Sequence, residues 1–191
     1  MMFKNLINKK IILASKSPRR QELFKGLGIS FEIKTKDFDE DFPCTLNNYD
    51  VARFLAKKKA EAFELSADEI LITSDTTVLL SNRILNKPQN TEEAIEMLQS
   101  LSGKIHQVTT GVCIKSIDKE VTFSDLTSVS FKQLFLDEIK YYTNQFDPFD
   151  KAGSYGIQEW IGFIGIEKIE GCYYNVMGLP LSKLYQELLK F

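Results

Sequence analysis

Residues 10–28 read KIILASKSPRRQELFKGLG, and this stretch decides the fold. Lys10 to Ala14 form a short apolar run rich in β-branched side chains, which predicts a strand. Ser17-Pro18 follows at once and predicts a helix start. A serine oxygen at the N-cap satisfies a free N–H of the first turn, and proline at the first helical position has no N–H to lose. Leu23, Phe24 and Leu27 supply the apolar side of that helix, and Gly28 lies past its end. A strand that turns sharply into a helix is the opening unit of an α/β fold.

The rest of the chain continues the alternation. Phe31 to Lys36 reads as a second strand, leading into the acidic segment Asp37-Phe38-Asp39-Glu40-Asp41 and a break at Pro43. Asn47 or Asn48 caps a helix running to about Leu65, with Val51, Leu55, Ala62 and Phe63 on its apolar stripe. Glu69 to Leu80 (EILITSDTTVLL) is a strand of buried type, turned back by Ser81-Asn82-Arg83 through Ile84 and Leu85 as a hairpin. Asn90, with Glu93 three residues on, opens a helix buried through Ala94, Ile95, Met97, Leu98 and Leu101, and Gly103 closes it. Ile105 to Phe131 is strand-like, Asp137 to Gln145 is a short helix with Ile139 and Tyr142 inward, and Phe146 to Gly156 is a loop. The runs Phe163 to Ile166 and Tyr173 to Met177 read as the last strands. Pro180 opens a terminal helix carrying Leu184, Leu188 and Leu189. No internal repeat interrupts this order, and 191 residues suit one domain, residues 1–191, of α/β class.

Charge and cysteine content exclude several classes. Basic residues number 24 against 26 acidic, so there is no cationic excess of the nucleic-acid-binding kind, and any polyanion site is local. Cys44, Cys113 and Cys172 are odd in number and widely spaced, which fits buried, reduced thiols better than a disulfide framework or a metal knuckle. The start, MMFKNLINKKIILAS, has too short an apolar run for a signal peptide, and nowhere do about 18 apolar residues follow one another. These features place the protein in the cytosol, with no membrane partner.

Two features carry chemistry. Ser15-x-Ser17-Pro18-Arg19-Arg20 sets two arginines in the first turn of a helix, where the macrodipole is already positive. That placement costs stability unless an anion binds there, and free N–H groups, serine hydroxyls and guanidinium forks together make a polyphosphate cradle. Taken alone, the same residues also fit two solvated arginines on a surface helix. Gly103-Lys104 is followed by Ile105 and no G-x-G-x-x-G occurs, so P-loop and Rossmann readings lose ground. The second feature is Asp75 in Ser74-Asp75-Thr76-Thr77, a carboxylate within a run of Ile, Leu and Val. Burying it without a cation or strong hydrogen bonds is expensive, which makes it a functional candidate beside the plainer reading of a strand-end aspartate satisfied by backbone N–H groups.

Asp39 and Glu40 follow a strand and precede a proline, so they can join Asp75 in offering the oxygen ligands that Mg²⁺ or Mn²⁺ takes. A solvated acidic loop is the alternative, preferred for Asp37 and Asp41. The single histidine, His106, excludes a multi-histidine zinc centre and reads as structural. Of the lysines on the long helix, Lys58 and Lys59 both flank the apolar stripe while Lys57 points away, and periodicity leaves those two open. Lys87 stands on a loop after the hairpin, where a lysine is ordinarily solvated.

These pieces, in this order, resemble the Maf family: ILASKSPRRQELFKGLG, SDTTV, NKPQNTEEAIEMLQSLSGKIHQVTTGV, DKAGSYGIQ and YYNVMGLPL. The resemblance implies an α/β fold similar to the inosine triphosphate pyrophosphatases, with a mixed sheet, flanking helices and two lobes around a deep cleft, and it implies a homodimer. It implies hydrolysis of a nucleoside triphosphate to the monophosphate and pyrophosphate with a divalent cation, Mg²⁺ or Mn²⁺. Asp150 to Gln158 looks like the branch acting on dTTP and UTP.

Carried over by position, Ser15, Arg19 and Arg20 are phosphate contacts, Glu40 is a metal or water-positioning carboxylate, and Lys59 is the lysine of the L-A-x-x-K-A pattern. Asp75 is the proton acceptor and, with Glu40, a metal ligand. Lys87 is the lysine of the G-K-P element, and Thr76 and Gln158 are tied to base selection. Ser74, Asn86 and Glu159-Trp160 depart from the family pattern, where alanine, glycine and glycine are common. The rival readings are the same reaction on another nucleotide, such as 7-methyl-GTP, and a nucleotide-binding regulator of cell division that does not hydrolyse.

Overall fold

The protein is described by a computed structural model covering residues 3–191. Strand β1 (Lys10–Ala14) leads into α1 (Pro18–Lys25), as the opening stretch requires. Ser17 accepts from the Arg20 N–H as N-cap, and Gly28 turns the chain with a left-handed φ of 69°. The second strand is shorter than expected. Only β2 (Glu32–Ile33) pairs, parallel to β1 through Ile12↔Glu32 and Leu13↔Ile33. Its side chains are exposed, and Phe31 packs edge-on against Phe24 at 5.0 Å instead of extending the ladder.

Asn47 caps a single 3-10 turn that runs into α2 (Val51–Glu61), which stops short of Leu65. Ala52, Ala56 and Ala60 fill its buried face with Val51 and Leu55, while Ala62 is only half-buried. Strand β3 (Glu69–Leu80) has its expected bounds, and β4 (Arg83–Leu85) folds back antiparallel on it, Leu80 facing Arg83 across Ser81-Asn82. Helix α3 (Thr91–Leu101) is capped by Asn90 through the Glu93 N–H, and the Glu93 carboxylate returns a bond to the Gln89 N–H. Strands β5 (Ile105–Lys115) and β6 (Glu120–Phe131) and helix α4 (Leu136–Gln145) follow, with Ile139 and Tyr142 buried.

The C-terminal quarter corrects the sequence reading. Phe163 to Gly165 belong to helix α5 (Trp160–Gly165), and the last strand is β7 (Ile166–Glu170), antiparallel to β6. Tyr173 to Val176 form a short helix, α6. A four-residue apolar run suits a helical turn as well as a strand, and here the backbone decides: Phe163 donates to the Glu159 carbonyl and Met177 to that of Tyr173, both four residues back. Helix α7 (Leu181–Lys190) has Pro180 as its N-cap residue and buries Leu184 and Leu188 at helical spacing, leaving Leu189 40% exposed. Cys113 is buried and Cys172 half-buried, but Cys44 is exposed, against the expectation of buried thiols.

Among the described residues the strands form one seven-stranded mixed sheet of order β2-β1-β3-β5-β6-β7, with β4 on β3. The chain divides into two compact units, and the division falls inside β3 between Asp75 and Thr76. The first unit holds residues 3–75, 110–125 and 178–191, and the second holds 76–109 and 126–177. In the first, Ile12, Ala14 and Leu71 pack with Ala56, Ala60, Phe63 and Cys113, while Ile11, Leu13, Ile70 and Ile72 are buried on the opposite sheet face. The second unit has its own core around Val78, Leu98, Val129, Phe131, Tyr142 and Tyr155. No helix among the described residues is long and apolar enough to cross a membrane.

Candidate active site

Side chains alternate along a strand, so Thr73 and Asp75 of β3 share a face. Thr73 donates its hydroxyl to the Ala56 carbonyl at 2.6 Å, which fixes helix α2 over that face. One helical turn on from Ala56 comes Lys59, and its ammonium lies 3.6 Å from the Asp75 carboxylate and 3.2 Å from the Ser74 carbonyl. Tertiary contact thus separates the two lysines that periodicity left open. Lys58 turns outward to Asp39 at 3.2 Å and to the Asp41 carbonyl at 2.8 Å, and Lys57 pairs with Glu120 at 3.2 Å.

Arg20 reaches the same strand from the tip of α1. Its Nη1 donates to the Ser74 carbonyl at 3.1 Å and its Nε to the Gly178 carbonyl at 2.8 Å. Burial pushes the guanidinium pKa down, Asp75 opposes that shift, Arg19 adds to it and Glu40 opposes it. Arg20 is therefore a largely desolvated cation with two carboxylates in electrostatic reach. Ser15 is buried; its hydroxyl accepts the Ser17 N–H at 3.2 Å and its carbonyl accepts from Gln21 at 3.1 Å, which shapes the turn into the helix.

The acidic segment is strapped to the first unit. Asp37 pairs with Lys16 at 2.7 Å, the Phe38 ring lies 4.5 Å from the Lys59 ammonium, and Asp39 pairs with Lys58. The Asp41 backbone N–H, then the Lys58 ammonium, holds the Asp39 carboxyl below the usual carboxylate range. Glu40 lies between these tethers, exposed, and its charge is felt at Arg20. The first unit thus brings Arg20, Lys59 and Asp75 together at one strand, with Ser15, Arg19 and Glu40 on the segments leading to it. Thr76, Lys87 and Gln158 belong to the second unit.

Within the second unit, Thr76 is half-buried on β3. Lys87 is exposed after β4, lining a cavity of about 390 Å³ with Arg83, Asn86 and Glu93. The preceding Asn86 carbonyl accepts the Gly153 N–H at 3.2 Å. Gln158 is half-buried, and its amide oxygen is buried with no hydrogen-bond partner. His106 is structural in its surroundings, its Nε2 2.7 Å from the Tyr155 hydroxyl.

The pattern of the Maf-like protein family matches residues 10–191. The chain belongs to the Maf-like family. Among its relatives in that family, a dTTP/UTP pyrophosphatase of Parabacteroides distasonis is 50% identical with all of both chains covered. Those of Bacteroides fragilis and Flavobacterium psychrophilum are 51% identical, covering 98% of this chain and 98% of the relative, and 99% and 98%, respectively. The Maf-like chain also shares its fold with solved HAM1 proteins. That of Coxiella burnetii superposes with a TM-score of 0.51 at 14% identity over 96% of this chain and 100% of the other. That of Staphylococcus aureus does so with 0.51 at 16% identity over 94% and 98%. The α/β class with a mixed sheet and flanking helices is the one expected.

Two residues of this Maf-like chain take part in the geometry without having been read as site residues in the sequence. Phe38, within the acidic segment, places its ring 4.5 Å from the Lys59 ammonium. Tyr142 was read as core, yet its hydroxyl bonds both the Glu159 carboxylate and the Gly156 N–H. A buried tyrosine needs a partner for its hydroxyl, and that need was the available signal.

Proposed function

We propose that this chain is a nucleoside triphosphate pyrophosphatase that hydrolyses dTTP and UTP to the monophosphate and pyrophosphate. The observation that carries the reading is the convergence of Arg20 and Lys59 on the Ser74 carbonyl, with the Asp75 carboxylate beside them. Two cations and one carboxylate, all largely withdrawn from water, are the groups that a phosphoanhydride cleavage needs. The names of the half-identical relatives support the choice of dTTP and UTP.

In this reading Asp75 takes a proton from water as that water attacks the α-phosphorus. The bond from the α-phosphorus to the bridging oxygen breaks, and pyrophosphate leaves with the electron pair. Phosphoryl transition states spread negative charge over non-bridging oxygens, so Arg19, Arg20, Lys59 and Lys87 act as charge clamps and the Ser15 hydroxyl as a phosphate contact. Thr76 and Gln158 carry the base selection that the resemblance assigns to their positions. Lys59 pairs with Asp75 at 3.6 Å and so holds the carboxylate in place on β3.

The donor set suits a hard divalent cation, Mg²⁺ or Mn²⁺. Glu40 and Asp75 both act electrostatically on Arg20, and both offer carboxylate oxygens. Mg²⁺ characteristically takes one or two carboxylates and completes its shell with phosphate oxygens and water. Held by Glu40 and Asp75, the ion would neutralise charge on the polyphosphate.

A homodimer is the expected assembly. Cytoplasmic location fits a nucleotide substrate and the three free thiols. The test is pyrophosphate release from dTTP, UTP, GTP and 7-methyl-GTP with Mg²⁺ or Mn²⁺. Release from dTTP and UTP is expected. Preference for 7-methyl-GTP transfers the assignment to another base, and bound nucleotide without release points to a regulator.

A further inference from the structure

Gln158 is followed by Glu159, which stands where the family pattern commonly has glycine, and the carboxylate of Glu159 is a hub of the second unit. It accepts a hydrogen bond from the Tyr142 hydroxyl and pairs with the Lys151 ammonium at 3.2 Å. Lys151 is itself 7% exposed and is shared with Asp150 at 2.9 Å and the Asp147 carbonyl at 3.2 Å. The Tyr142 oxygen also accepts the Gly156 N–H at 3.0 Å, and the Glu159 N–H closes a turn on the Gly156 carbonyl at 3.0 Å. The two ends of the Gly156–Glu159 turn therefore hang on one phenol oxygen.

The fit is tight. A Cβ built on Gly156 would fall 2.6 Å from the carboxyl carbon of Glu159, so a larger residue there would push that carboxylate out of its present place. Inside this turn Ile157 is buried, and the Gln158 amide oxygen is buried without a donor. A buried acceptor left unmatched by the protein is suited to a donor brought by a ligand.

We propose that Glu159 is a positioning residue for base recognition: its clamp on Tyr142 and Lys151 holds the Gln158 amide so that its oxygen accepts the N3–H of a uracil or thymine ring. The inference rests on the pyrimidine nucleotide reading above. Uracil and thymine carry a hydrogen on N3, whereas cytosine has a bare acceptor nitrogen there. A fixed amide oxygen attracts the first pair and repels the third, and an amide free to turn over offers its NH₂ to cytosine and loses the distinction.

The experiment compares UTP with CTP, by kcat/KM and by calorimetric affinity, in the wild type, Glu159→Ala, Glu159→Gln, Tyr142→Phe and Gln158→Ala. Glu159→Ala is expected to lower the UTP to CTP preference roughly 10-fold or more, the loss falling on KM for UTP more than on kcat. Glu159→Gln, which keeps an acceptor for Tyr142 but drops the charge facing Lys151, is expected to recover part of it. Adding Glu159→Ala to Gln158→Ala should cost no further preference, since both act through one amide. Wild-type preference in a folded Glu159→Ala protein overturns the proposal. If that variant does not fold, wild-type preference in both Glu159→Gln and Tyr142→Phe overturns it. Absence of pyrophosphate release from wild type, with the affinity preference present and lost in the variants, refutes the hydrolytic reading and leaves the clamp standing. Equal wild-type affinity and kcat/KM for UTP and CTP overturn the clamp and leave the hydrolytic reading to stand on pyrophosphate release.

Discussion

The Lys59 ammonium lies 3.6 Å from the Asp75 carboxylate, and the two side chains are 14% and 15% exposed. A pair this sheltered is screened far less than a surface pair, so removing one partner takes away a strong part of what balances the other's charge. Helix α2 delivers Lys59 to Asp75 because Thr73 anchors the Ala56 carbonyl one turn earlier. Lys59→Met is expected to lower pyrophosphate release by about 100-fold or more. Lys57→Met, which breaks a surface pair with Glu120, should stay within about 2-fold of wild type. Steady-state rates on dTTP check both.

Phe38 covers the same ammonium from the acidic segment, its ring centroid 4.5 Å away. A cation over an aromatic face gains about 0.5–2 kcal/mol as the site loses water. Phe38→Leu should therefore cost roughly 2- to 30-fold in kcat/KM, with Phe38→Tyr retaining most of the activity. Equal losses in both variants would assign the effect to the loop backbone instead.

Helix α2 also meets β5 closely. A Cβ on Gly111 would fall 2.3 Å from the Ala52 carbonyl oxygen, and backbone cannot step aside as a flexible side chain can. Gly111→Ala is expected to destabilise by about 2 kcal/mol or more, lowering Tm by roughly 5 °C. Thermal unfolding followed by circular dichroism measures this.

His106 is fully buried, and desolvation pushes its pKa down to about 4. In the unfolded chain the imidazole takes a proton near pH 6.5, so between about 6.5 and 4 the unfolded state binds more protons and stability falls as pH falls. The loss attributable to this one group is on the order of 3 kcal/mol at the acid end of that window. His106→Gln, which keeps a polar partner for Tyr155, should flatten that limb in urea titrations at pH 7, 5.5 and 4.5.

The parts of the molecule that were legible in the sequence are those whose cause is local. Ser17-Pro18 and Asn90 with Glu93 mark helix starts because the capping chemistry lies within four residues. Asp75 stood out because a carboxylate in a buried strand needs an explanation, and the Lys59 ion pair with the charge of Arg20 in electrostatic reach supplies one. The choice between Lys58 and Lys59 was not legible from periodicity, because it depends on the Thr73 contact 17 positions away in sequence from Ala56. Phe163 to Gly165 was misread as strand because an apolar run that short carries no period. Phe163 is in fact 73% exposed, so its hydrophobicity does not mark a core position. The contacts of Phe38, Tyr142 and Glu159 were not legible for the same reason that periodicity could not choose Lys59: each is made with a partner remote in sequence.

Pyrophosphate release from dTTP and UTP by Asp75→Asn, measured beside nucleotide affinity, is the most direct test of the central claim. The isosteric amide keeps the strand and removes the proton acceptor. Turnover is expected to fall by about 1,000-fold or more while affinity changes by less than about 10-fold, the signature of a group that acts in the transition state. Turnover equal to wild type in a folded Asp75→Asn protein would contradict the role given to this carboxylate and the mechanism built on it.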